Sequence, residues 1–131
     1  MYTLTEEWRQ IAEEVIEEQD TLRWIKECGV KIGFLKAKKT KTQNGKRVYA
    51  DCSKVSAKSK AFMGLDFIIT VYGLDEESLT ERQRKILMHH ELLHIGATEK
   101  DGKLKYKIAP HDLEDFREIV NTYGTDWMNE G

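Results

Sequence analysis

The chain has 131 residues, 40% of them hydrophobic and 34% charged, and a formal net charge of −2. That length suits one domain, 1–131, with a real core, and no apolar run approaches the ~20 residues of a membrane span. The opening Met1-Tyr2-Thr3-Leu4-Thr5-Glu6-Glu7 has neither the basic nor the apolar region of a secretory signal, so a cytoplasmic protein is expected.

The first segment is read as a helix. Thr3 and Glu6 fit a capping box. Leu4, Trp8, Ile11, Ala12, Val15 and Ile16 recur at helical spacing, which leaves a Glu-rich face for solvent. Leu22 and Ile25 continue the stripe after a break near Asp20, and Gly29 stops it. From Val30 the period changes to two: Val30, Ile32 and Phe34 alternate with Lys31 and Gly33, as in a strand with one buried face. Asn44-Gly45 signals a hairpin whose return strand is 46–52.

Charge is uneven along the chain. Residues 31–60 hold ten bases and one acid, whereas 1–30 and 61–131 are acidic, at −5 and −6. Segment 31–60 could meet nucleic acid or an acidic partner. Without interleaved aromatics, lysines that blunt a sheet edge are the favoured reading. Cys28 and Cys52 lie outside any C-x-x-C spacing and read as free thiols packed as small apolar groups.

Residues 53–61 are polar, a loop or a short turn of helix. Residues 66–72 form a compact β-branched and aromatic run ending at Gly73, the clearest strand in the chain. Its edge is a candidate for holding an extended substrate. Thr80 and Gln83 make a capping box for the next helix, in which Ile86, Leu87, Met88, Leu92, Leu93 and Ile95 are spread nearly all round. A buried helix is expected, closed by Gly96. Asp101-Gly102 marks a turn, and Leu104, Tyr106 and Ile108 alternate with lysines as in a strand. Pro110 opens a last helix with Leu113, Phe116 and Val120 on its apolar face, Gly124 as its cap and Trp127 as a tail anchor. The expected class is α+β: an N-terminal helix, a small, mostly antiparallel sheet, a buried central helix and a C-terminal helix.

The central helix carries His90-Glu91-Leu92-Leu93-His94, an H-E-x-x-H pattern. Residues four apart share a helix face, so His90 and His94 can grip one Zn²⁺. Glu91 stands beside them as a general base for a water activated by the metal. A catalytic zinc wants a third ligand and an open position. Lys100 occupies the place where a metzincin would have its third histidine. His111, 17 residues after His94, is the favoured third ligand, with Glu114, Asp112 and Glu99 as carboxylate alternatives. His89 points about 100° from His90 and makes a poor co-ligand. Tyr106, five residues before His111, is a candidate oxyanion stabiliser, although a half-buried strand tyrosine is the plainer reading. The expected activity is peptide-bond hydrolysis.

Asp66–Thr70, Gln83–Leu87, His90–Ile95 and Pro110–Phe116 together resemble the Putative phage metallopeptidase family of bacteriophages and prophages. The likeness is closest over 66–127. It implies a zincin-like fold, His90, His94 and His111 as zinc ligands, Glu91 as base, and a phage-encoded protein acting in the bacterial cytoplasm. The spacing is also similar to that of SprT-like proteases, which act on DNA-bound proteins. A zinc-stabilised binding module without turnover is the non-enzymatic alternative, disfavoured because a closed structural site would want a fourth protein ligand.

Overall fold

A computed structural model describes residues 1–74, 76–111 and 117–123. The chain opens with a short strand, β1 (Tyr2–Leu4), rather than with the helix. Residues 2–4 pair antiparallel with residues 35–37, and Leu4 lies on the surface. The helix α1 (Glu6–Glu18) is therefore capped by Thr5, whose side chain accepts from the Trp8 N–H, and not by Thr3. Its apolar stripe buries Trp8, Ala12, Val15 and Ile16. A 3₁₀ turn at Asp20–Leu22 makes the break, and α2 (Arg23–Glu27) follows. Gly29, at φ +70°, then releases the chain into the sheet.

The main sheet has the order β1, β2 (Ile32–Ala37), β6 (Phe67–Tyr72), β5 (Ala50–Lys54). β2 and β6 run parallel at its centre, and the outer pairs are antiparallel. β6 is thus internal, with a neighbour on each side. The expectation that the edge of 66–72 is available is overturned, and the outermost strand on that side is β5. The Asn44-Gly45 hairpin forms, but its two arms, β3 (Lys41–Gln43) and β4 (Lys46–Val48), make a separate ribbon. The return strand breaks at Tyr49, after which β5 joins β6 instead. Asp51 ties the two together by accepting from Lys41 Nζ and the Tyr72 hydroxyl, each at 2.8 Å.

The polar stretch after β5 becomes α3 (Ala57–Met63), with Ser56 as N-cap and Gly64 as left-handed stop. Beyond β6, the reciprocal Thr80–Gln83 capping box starts α4 (Glu81–Leu93). Leu87, Met88 and Leu92 of α4 enter the same core as Trp8, Val15, Phe67 and Ile69. Gly96 does not close this helix. The chain leaves α4 at His94 and passes directly into β7 (Ile95–Lys100), which pairs antiparallel with β8 (Lys103–Ile108). Asp101 and Gly102, both at positive φ, make the turn between them. The last described helix is α5 (Arg117–Tyr123). Leu113, Phe116, Gly124 and Trp127 lie outside the described residues, as does the Val120 side chain.

One buried carboxylate fixes the start of the central parallel pair. Asp66 Oδ2 accepts from the Lys31 N–H at 2.8 Å, and the Asp66 N–H donates to the Lys31 carbonyl at 2.7 Å. Lys60 Nζ lies 2.5 Å from Oδ1. Hydrogen bonds involving charged groups contribute about 1.5–3 kcal/mol each. Asp66→Ala should therefore lower the unfolding free energy in urea by about 2–3 kcal/mol, with Asp66→Asn costing less because it keeps an acceptor for Lys31. An unchanged midpoint for Asp66→Ala would contradict this role.

Candidate functional site

Three consecutive residues of α4 point in three directions, because each step around a helix is about 100°. His89 turns towards α5 and is fully buried. Its Nδ1 lies 2.9 Å from the Tyr123 hydroxyl, and its Nε2 meets the Glu118 carboxylate. A ring nitrogen against a carboxylate carries the proton, so Nε2–H donates to Glu118 while Nδ1 accepts from Tyr123. Burial, reinforced by Glu18 and Glu118, raises the Tyr123 pKa, which keeps its hydroxyl a donor. Thr21 Oγ1 also donates to Glu118, and Ile86 packs on Ile119. His89 is accordingly the polar half of the α4–α5 joint. Its spacing from Ile86 and Leu93, three and four residues away, was the available sign that it shares their face.

His90, the next residue, faces the opposite group. His90, His94 and His111 come together so that one donor nitrogen from each lies within 4.8 Å of the others. Their ring centroids are 4.5–5.3 Å apart. His90 Nε2 and His111 Nε2 are 2.9 Å from one another. Two nitrogens at that distance need a shared proton or a shared cation between them. His94 Nδ1 lies 2.7 Å from the Ala109 carbonyl, which makes Nδ1 the protonated nitrogen and leaves the Nε2 lone pair for the cluster. The Ala109 N–H in turn donates to the His94 carbonyl at 2.6 Å. Three imidazoles converging on one point, one of them oriented by a carbonyl behind it, suit a divalent transition-metal ion.

Glu91 is the third direction. It is buried at 3% exposure, and its Oε2 lies 4.0 Å from His90 Nε2. Its charge also reaches β5: the Cys52 thiol pKa is pushed up by burial first, then by Glu91 and Asp51. The carboxylate is therefore close to His90 and within electrostatic reach of Cys52 on β5.

Several sequence-predicted residues fall elsewhere. Tyr106 turns into the body of the fold, where its ring packs on Phe67 at 5.8 Å between centroids and Lys60 sits over it. Burial and the nearby Asp66 raise its hydroxyl pKa. Glu99 is exposed on the ribbon opposite Leu104, away from the ribbon's base. Asp112 and Glu114 lie outside the described residues. The basic 31–60 stretch is divided among several elements, with Lys41 engaged by Asp51 and Lys60 by Asp66.

The two thiols should differ in reactivity, since only the thiolate is alkylated readily. Cys28 is exposed, whereas Cys52 is held neutral beside Glu91. Iodoacetamide at pH 8 should modify Cys28 in the folded protein and reach Cys52 only after unfolding. Equal labelling of both in the folded state would contradict the placement of Cys52.

A family description, Putative phage metallopeptidase, matches residues 1–130. No curated protein matches the chain, and no solved structure matches it.

Proposed function

The chain belongs to the Putative phage metallopeptidase family, and from that membership we propose that it is a zinc-dependent, zincin-like peptidase in which His90, His94 and His111 hold the metal and Glu91 is the general base. The observation that carries this reading is the convergence of the three histidines within 4.8 Å. Three protein ligands are the number typical of a catalytic zinc, whereas structural sites take four. The hydrogen bond from His94 to the Ala109 carbonyl is the kind of support that metal-ligating histidines commonly have.

A zinc ion held there supplies a Lewis acid that makes water nucleophilic near neutral pH and polarises a carbonyl. The chain's own residues do the rest. Glu91 takes the proton of the attacking water and delivers it to the leaving amine. Its burial keeps bulk water away from that transfer. The outer side of β5, the last strand of the main sheet, holds the substrate extended through backbone hydrogen bonds. No helix among the described residues is long and apolar enough to cross a membrane. The family's phage association supports action in the cytoplasm of a bacterial host.

Protein purified without added metal should contain about one zinc per chain, and His111→Ala should lose most of it. Full zinc retention in that variant would contradict the ligand set. Glu91→Gln should keep the zinc yet slow cleavage of a fluorescein-labelled unfolded protein by about 10²–10⁴-fold. Undiminished cleavage would remove Glu91 as the base and leave the peptidase reading without its proton carrier.

A further inference from the structure

The ribbon of β7 and β8 has two unlike faces. Directly paired residues share a face, so Ile95 with Ile108, Ala97 with Tyr106 and Glu99 with Leu104 form one of them. That face packs inward at its base: Ile95 is buried in the core and Tyr106 rests on Phe67. The other face pairs Gly96 with Lys107, Thr98 with Lys105 and Lys100 with Lys103. It carries four lysines and no acid. All four lysines are exposed, and among the described residues none of them makes an ion pair.

This arrangement is costly to the free protein. Lys100 and Lys103 are direct cross-strand neighbours, and like charges so placed destabilise a ribbon. Several lysines elsewhere are matched: Lys26 with Glu17, Lys41 with Asp51, Lys60 with Asp66 and Lys85 with Glu18. Lysines that merely blunt an exposed edge could alternate with acids at no loss. Here the single acid of the two strands, Glu99, falls on the opposite face. The row also has a fixed relation to the imidazole cluster. β7 leaves directly from His94, and β8 returns to Ala109, whose carbonyl accepts from His94. Lys107 is therefore nearest that base, and Lys105 and Lys103 follow outward at steps of about 6.8 Å, the repeat of alternate side chains in any extended chain.

We propose that this lysine face docks an acidic stretch of the polypeptide substrate, outside the segment being cut; the proposal rests on the peptidase reading above. Charge complementarity selects an acidic partner. An extended polypeptide is favoured over nucleic acid on two grounds. The face presents no aromatic ring for base stacking, and it has no arginine for bidentate phosphate contact. The preferred substrates are then proteins with an acidic segment beside the scissile bond.

The test uses Glu91→Gln protein, so that nothing is consumed, and fluorescence anisotropy with four probes: a labelled (Glu-Ala)₈ peptide, its (Gln-Ala)₈ counterpart, single-stranded DNA and duplex DNA. The acidic peptide should bind on the order of tenfold or more tighter than the neutral one, weakening as salt is raised. The combined variant K100Q/K103Q/K105Q/K107Q should lose that preference, with an unchanged or higher melting temperature because like-charge repulsion is relieved. Equal affinity for the two peptides, or full retention of the preference in the four-lysine variant, would overturn the proposal. DNA binding tighter than the acidic peptide and lost in the same variant would also overturn it, assigning the face to nucleic acid. Zinc content of the same samples separates the two readings. Acidic-peptide capture without zinc supports the docking face and overturns the zinc peptidase, whereas zinc without acidic-peptide preference overturns the docking face alone.

Discussion

The structure turns on a clasp between His94 and Ala109. The Ala109 N–H donates to the His94 carbonyl, and His94 Nδ1 donates to the Ala109 carbonyl. One pair of residues thereby closes the base of the β7–β8 ribbon and sets the tautomer of a site histidine. The ribbon explains how residues so far apart in the chain meet. Six residues run out from His94, two turn, and six run back, so that His111 arrives two residues beyond the clasp. Loss of the Ala109 carbonyl's position would disturb both the His94 lone pair and the return of His111.

The helix α4 serves the site because it is anchored on every side. His89 and Ile86 join it to α5, and Leu87, Met88 and Leu92 bury into the core shared with α1 and the sheet. His90 and His94 hold the remaining side. A helix constrained in this way presents its imidazoles with little rotational freedom, and a preorganised donor set pays less entropy on binding an ion. Glu91 is part of the same rigid body, so its distance from the cluster is set by helix geometry rather than by a loop. The lysine face lies on a more exposed element that grows from this body, which suits a surface concerned with partner choice rather than with bond cleavage.

The central helix and its histidines were legible from the sequence, because each rests on short-range chemistry. The Thr80–Gln83 capping box, the four-residue step from His90 to His94 and the Asn44-Gly45 turn all involve neighbours in the chain. The misses lie where pairing is long-range. β1 is three residues whose apolar spacing runs on into α1, and only Ala37, Lys36 and Leu35 across the sheet make it a strand. β7, with the sequence Ile-Gly-Ala-Thr-Glu-Lys, lacks alternation and owes its conformation to β8. The internal position of β6 depends on β2 arriving parallel beside it, which no local pattern records. His89 reads from the sequence only as a poor co-ligand, because its partners, Glu118 and Tyr123, sit about thirty residues further on.

The most direct measurement of the central claim is X-ray absorption at the zinc edge of the purified protein. Three imidazole nitrogens and one further nitrogen- or oxygen-sized scatterer at about 2.0–2.1 Å are expected, with no sulfur. In the His111→Ala variant the imidazole contribution should fall by one. A sulfur shell at about 2.3 Å, or an imidazole count of two in the unmodified protein, would contradict a centre built from His90, His94 and His111.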